Sequence, residues 1–166
     1  MEVICKECKK GKYGLPVIGE GSPNARIMFV GEAPGKEESK TGRPFVGRSG
    51  RLLTKMLHDI GIERKDVYIT SPVKYYPGKR RLRKEEIIHG AMHLRKQIEE
   101  ISPEIIVLMG KTAVTALMDE DIKVTRDHGK FFGRFFITFH PAAALRFPKI
   151  MRLMENDLRK LASSLP

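Results

Sequence analysis

Apolar residues fall along this chain in two kinds of block. Some are short, nearly unbroken runs, and others are stripes at helical spacing. Ile27-Met28-Phe29-Val30, entered through Arg26, is a run of the type found in strands covered on both faces, and it predicts a strand over about 26–30. Leu52, Leu53, Met56, Leu57 and Ile60 then recur at helical spacing, predicting a helix over about 49–60 that stops at a C′ glycine, Gly61. Val67-Tyr68-Ile69-Thr70 predicts a second strand. The clearest helix spans 84–101, where Ile87, Ala91, Leu94, Ile98 and Ile101 form one stripe and Pro103 closes it. Ile105-Ile106-Val107-Leu108, within about 104–109, reads as a third strand, and Gly110 turns it into a short helix over about 111–118. Arg126 to Gly129 reads as a turn and Arg134 to Phe139 as a fourth strand. The segment 148–162 is amphipathic, with Met151, Met154, Leu158 and Leu161 on one face. Strands alternating with helices predict an α/β fold: one three-layer α/β/α domain over 1–166, with a four-stranded, mainly parallel central sheet.

The polar and glycine-rich stretches between these elements carry the candidate chemistry. Gly11 to Pro23 reads as a surface connection. The stretch 31–48 is longer than a plain connection needs. It holds an acid (Glu32), an aromatic (Phe45) and glycines 31, 35, 42 and 47 that let backbone approach a ligand closely. It also leaves the carboxyl end of a strand, where α/β proteins build their sites. Ser71 to Gly78 is a loop punctuated by two prolines and a glycine, and the fourth strand delivers His140-Pro141-Ala142. The carboxyl ends of strands one, two and four therefore bring Glu32, Ser71 and His140 together.

Charge narrows the partner. The 166 residues carry a formal net charge of +11, which favours a polyanion, chiefly nucleic acid. Lys79-Arg80-Arg81-Leu82-Arg83-Lys84 places five cations in six residues at a loop end, where they could engage successive phosphates. There is no long apolar run and no signal-peptide pattern, so a cytoplasmic protein without a membrane partner is expected. Two cysteines argue against a disulfide scaffold. Abundant charge and the absence of tryptophan are compatible with a thermophile.

An acid, a histidine and an aromatic plate on a basic protein suit chemistry on a flipped base. The motifs Gly31-Glu32-Ala33-Pro34-Gly35, Gly42-Arg43-Pro44-Phe45-Val46-Gly47-Arg48 and Phe139-His140-Pro141-Ala142 resemble those of the family 4 uracil-DNA glycosylases, the iron–sulfur type of archaea and thermophilic bacteria. The resemblance covers nearly the whole chain. It implies hydrolytic removal of uracil from DNA at the start of base excision repair. His140 is similar to the histidine that stabilises the leaving base, Glu32 to the acid that orients water or stabilises the sugar cation, and Phe45 to the ring that stacks on uracil. Gly31, Ala33 and Gly35 would offer backbone amides to the base or a phosphate. Leu145 is the candidate wedge into the duplex and Arg146 a phosphate or groove contact. Lys79, Arg80, Arg81 and Arg83 are read as DNA-backbone contacts. The expected partner is DNA carrying uracil or another deaminated base, met by a monomer alongside prokaryotic chromosomal DNA.

The chain departs from this pattern in two places. Where the family reads uracil with an asparagine, this chain has Ser71, whose hydroxyl cannot make the paired amide contact. Weaker base selection is expected, with other deaminated bases accepted. The family's cluster takes four cysteines, and the last two positions align with Tyr75 and Gly90. No [4Fe-4S] cluster, and hence no cofactor, is therefore expected. Cys5 and Cys8 would be remnants of the site, with Tyr75 and Tyr76 pinning the loop instead. The alternative is zinc held by Cys5, Cys8 and one or both of His89 and His93, although His93 points away from the direction of position 90. A related branch captures uracil-DNA covalently through a histidine where Arg83 stands and has glutamine where Ala33 stands, so covalent capture is not expected. The competing reading is a catalytically weak relative that senses damaged DNA without cutting the glycosidic bond. A nucleotide-binding enzyme of another class lacks its phosphate-loop or dinucleotide motif here.

Overall fold

The computed structural model describes residues 4–166. Its centre is a six-stranded sheet of β1 (Glu20–Gly21), β2 (Ile27–Val30), β3 (Tyr68–Thr70), β4 (Ile105–Met109), β5 (Phe131–Phe132) and β6 (Phe135–Thr138), in the order β1-β3-β2-β4-β6-β5. The four inner strands are parallel, as predicted. The two outer strands are antiparallel two-residue edges that hydrophobic periodicity could not register. Very short edges also leave little open ladder for another chain to pair with.

The eight α-helices among the described residues are α1 (Lys6–Lys9), α2 (Lys36–Thr41), α3 (Arg48–Asp59), α4 (Lys84–Ile101), α5 (Lys111–Leu117), α6 (Val124–Asp127), α7 (Pro141–Arg146) and α8 (Pro148–Ser163). The predicted bounds of α3, α4, α5 and α8 hold to within a residue. Unforeseen are α2, inside the long loop, α6, at the expected turn, and α7, which begins directly after His140. Proline at the first position of α7 is a helix-start signal, because its missing N–H would be unpaired there anyway.

Alternation along the inner strands divides the core. Ile27, Phe29, Ile69, Val107, Met109 and Phe136 face α3 and α8, packing on Leu53, Leu57, Met154 and Leu158. Met28, Val30, Tyr68, Ile106, Leu108 and Ile137 face α4 and α5, packing on Leu94, Ile98, Ala113 and Val114. Helices on both faces give the three layers expected, and the buried runs are apolar throughout because both faces are covered. The chain runs from β2 outward to β3, then crosses to β4 on the other side of β2. The β2–β4 boundary is therefore the topological switch point, and the crevice belongs at the carboxyl ends of those two strands. No helix of the described residues is long and apolar enough to cross a membrane.

Candidate active site and candidate metal centre

The crevice is built from the residues that follow the strands. Gly31 continues β2, and its N–H donates to Thr70 O at 2.9 Å, keeping the chain in line with β3 for one more residue. Glu32 comes next and is exposed. Across the switch point, Gly110 ends β4 and α5 begins, bringing Thr112 to the same mouth. The Thr112 hydroxyl donates to Glu32 Oε1 at 2.7 Å, which fixes the carboxylate over the crevice. Thr112 was not anticipated, since 80 residues separate the pair and a threonine in a helix carries no signal of its own.

Phe45 reaches the crevice through an unusual backbone. Its φ is +48°, a region a bulky residue enters only when its surroundings hold it there. Three contacts do so. Arg64 donates from Nη1 to Phe45 O at 2.7 Å and from Nη2 to Pro44 O at 2.5 Å. The buried Glu38 carboxylate accepts from the N–H groups of Val46 and Gly47 at 3.1 and 3.0 Å. Gly50 lies so close that a β-carbon there would sit 2.0 Å from the Phe45 carbonyl. The ring ends directly over Gly31, where a β-carbon would come 2.6 Å from it and 3.6 Å from His140 Nε2. The His140 and Phe45 rings lie 5.6 Å apart between centroids and are inclined by 30°. Glycine at position 31 is what lets the Phe45 ring lie there beside His140.

His140 caps α7. Its Nδ1 accepts the Ala142 N–H at 3.0 Å, so in the neutral ring the proton sits on Nε2, the nitrogen facing Gly31 and Phe45. Burial pushes its pKa below the ordinary histidine value, against the pull of the Glu32 and Glu38 carboxylates. The result is a neutral N–H donor aimed at the crevice. Ala33 and Gly35 border the same turn, half-buried, and Gly35 leads into α2. Ser71 is buried, and its hydroxyl donates to Val73 O at 2.7 Å within its own turn.

The predicted DNA contacts divide. Lys79, Arg81 and Arg83 are exposed. Arg80 is turned onto the protein, with its guanidinium on both oxygens of Glu86 at 2.8 and 2.9 Å and on Gly11 O at 3.1 Å. Leu145 is 37% exposed at the end of α7, and Arg146 lies over the ring of Phe147, itself 52% exposed. Phe147 extends this apolar point beyond the predicted Leu145.

The expectation of no cofactor is overturned on α4, behind the loop that follows β3. Cys5, Cys8, His89 and His93 converge, each offering one donor atom, and the four donors all lie within 4.8 Å of one another. The geometric objection to His93 fails because position 90 is not where the thiols sit. Gly90 backs onto the loop after β3, where a β-carbon would meet Pro72 O at 2.2 Å. The Cys5–Cys8 turn lies instead across the 89/93 face of α4. An iron–sulfur cubane asks for four thiolates standing around a block of irons and sulfides. Two thiols and two imidazoles closing on so small a space do not fit that group, and no step of the chemistry is routed through it.

Comparison with known proteins agrees with this architecture. The sequence pattern of the Uracil DNA glycosylase superfamily matches residues 18–162. The type-4 uracil-DNA glycosylase of Saccharolobus solfataricus is 39% identical, over 97% of this chain and 82% of that protein. Those of Sulfurisphaera tokodaii (42%, over 96% and 80%) and Thermotoga maritima (43%, over 89% and 81%) are similar to the same extent.

Proposed function

Because the chain belongs to the uracil-DNA glycosylase superfamily, with type-4 enzymes among its relatives, we propose that it is a DNA glycosylase that hydrolyses the bond between uracil and deoxyribose. One observation carries the reading: Glu32 and Phe45, from the two ends of the long loop after β2, and His140, from the end of β6, meet at the switch point around Gly31. A base turned out of the duplex would lie beside them with its face on the exposed side of the Phe45 ring, since every base has a π-face to stack. As the glycosidic bond breaks, its electron pair stays with N1 and negative charge spreads to O2. The His140 Nε2–H donates a hydrogen bond to O2, and being neutral it needs no proton transfer to do so. The sugar is left electron-poor at C1′. Glu32, steadied by Thr112, holds a water against that carbon and accepts its proton as the C–O bond forms. The uracil anion takes up a proton from solvent and Glu32 returns its own, leaving free uracil and an abasic site. The Leu145-Arg146-Phe147 point would fill the gap left in the duplex, and Lys79, Arg81 and Arg83 would follow the phosphates.

Base choice is the finer part of the proposal. With the Ser71 hydroxyl spent on Val73 O, no side-chain amide reads the uracil edge from that position. Other deaminated bases would then be accepted besides uracil. The enzyme would work as a single glycosylase-like domain, a monomer, on chromosomal DNA in the prokaryotic cytoplasm. The test is release of uracil, hypoxanthine and xanthine from single- and double-stranded oligonucleotides, read as alkali-cleaved abasic sites. Turnover on uracil that disappears in both His140→Ala and Glu32→Ala is the expected result. Tight binding of uracil-DNA without turnover would instead make the protein a damage sensor. Strong activity on uracil with none on the purines would end the relaxed-selection reading.

A further inference from the structure

We infer that Cys5, Cys8, His89 and His93 hold one tetrahedral metal ion of the zinc class, in a closed structural site. With metal–sulfur bonds of about 2.3 Å and metal–nitrogen bonds of about 2.0–2.1 Å, a tetrahedral ion sets its sulfurs about 3.8 Å apart and each sulfur about 3.6 Å from each nitrogen. Here the two Sγ atoms are 3.7 Å apart. Cys5 Sγ lies 3.1 Å from His89 Nε2 and 3.6 Å from His93 Nε2, and Cys8 Sγ lies 3.6 Å from His89 Nε2. These spacings belong to donors around a single centre. A two-iron centre with thiolates on one iron and imidazoles on the other has the same donor set, but it would hold the thiol pair well away from the imidazole pair. The cross distances here are as short as those within a pair.

With Nε2 of His93 on a metal the ring proton sits on Nδ1, which is buried and has no acceptor among the described residues, so His93 would be the more weakly oriented of the two imidazoles. Thiolate and imidazole suit zinc and disfavour magnesium or calcium, which take oxygen. Four protein donors leave no open position, so the ion would be structural. It would tie α1 to α4 directly behind the loop that follows β3. Tyr13 bridges to Tyr76 there, and the Val17 N–H donates to Lys74 O at 2.7 Å.

The test uses the whole chain, purified in air, with no activity readout, so it stands or falls apart from the glycosylase reading. Elemental analysis should find one zinc per chain without acid-labile sulfide. Co(II) exchanged into the protein should give the ligand-field spectrum of a tetrahedral S2N2 site. Competition against a chromophoric chelator should show zinc affinity falling by at least about 10–100-fold in Cys5→Ala and in His93→Ala, with Met92→Ala on the exposed face of α4 as control. Should a variant fail to fold, chelation and Zn(II) re-addition on the wild type must lower and then restore the melting temperature. Iron with equimolar sulfide, or a wild-type protein that takes up no Zn(II), would overturn the inference.

Discussion

The crevice at the strand ends and the Cys/His group on α4 are assembled by opposite means. The crevice is placed by backbone: Glu32 and His140 each sit two residues beyond a β-strand end and Phe45 fifteen, and the sheet fixes where those ends are. Its few polar side chains are steadied by neutral or singly charged partners, Thr112 on Glu32 and the Ala142 N–H on His140. The group on α4 joins a turn at one end of the chain to a helix more than 80 residues later, and side chains make the connection. Around it lies a network of charge, with Lys12, Arg80 and Arg83 on the single carboxylate of Glu86. A site placed by backbone can lose a side chain and keep its shape. A junction made by side chains cannot. Variants of the first region should therefore remove rate without stability, and variants of the second should remove stability without rate.

The largest effect expected is at His140. His140→Asn keeps an acceptor for the Ala142 N–H, since asparagine is a preferred N-cap, and withdraws the donor from above Gly31. Single-turnover excision should fall by about 10²–10³-fold, the usual loss for one donor to a developing anion, while the unfolding midpoint barely moves. A matching loss of stability would show that His140 holds the fold rather than the leaving base.

Glu38 lies between the two cases and should give the next largest effect. It belongs to the crevice, yet it works as a buried side-chain brace on the N–H groups of Val46 and Gly47. Glu38→Ala should cost about 1.5–3 kcal/mol, the range for a hydrogen bond to a charged acceptor. Because Phe45 is held at φ +48° by this brace, excision should also fall, by up to about 10²-fold for a misplacement near 1 Å. Chemical denaturation and kinetics on the same preparation separate the two losses. A fall in stability alone would mean that Arg64 suffices to hold Phe45.

Glu38 also marks where the sequence ceases to be readable. Glu32, Phe45 and His140 stand out because glycines or a strand end flank them, and these are local signals. Glu38, Arg64 and Thr112 act on atoms 8, 19 and 80 residues away, and nothing local distinguishes them from surface residues. The helix α2 was legible in principle, with two acids in its first turn and Gly42 at φ +73° at its end, but the surrounding glycines suggested loop throughout. The inner strands and long helices were legible because burial on two faces or one writes a strong period. The metal group was half legible. Cys5 and Cys8 announce themselves, whereas the register of α4 against the Cys5–Cys8 turn depends on Gly90 packing against Pro72, a contact with no sequence signature.

The smallest effect expected tests the charge network of the second region. Arg80, the Arg83 N–H and Lys12 hold the Glu86 carboxyl well below the usual carboxylate range, against the cost of burial. A carboxyl whose folded pKa is depressed contributes its stability fully above the unfolded value of 4.5 and loses it as pH falls below that value. Glu86→Gln should thus be less stable than wild type by about 1–2 kcal/mol near neutral pH, and the gap should close on acidification. Urea midpoints followed from about pH 7 down to about pH 3 trace the start of that loss, which is complete only below the folded pKa. Release of a metal ion in acid would weaken both proteins alike, so the difference between them isolates Glu86. Excision at neutral pH should be unchanged per folded molecule. A gap that did not narrow at all below pH 4.5 would mean that Glu86 acts by packing and by capping α4 through the Arg83 N–H, and that the charge around the metal group contributes little to joining the two ends of the chain.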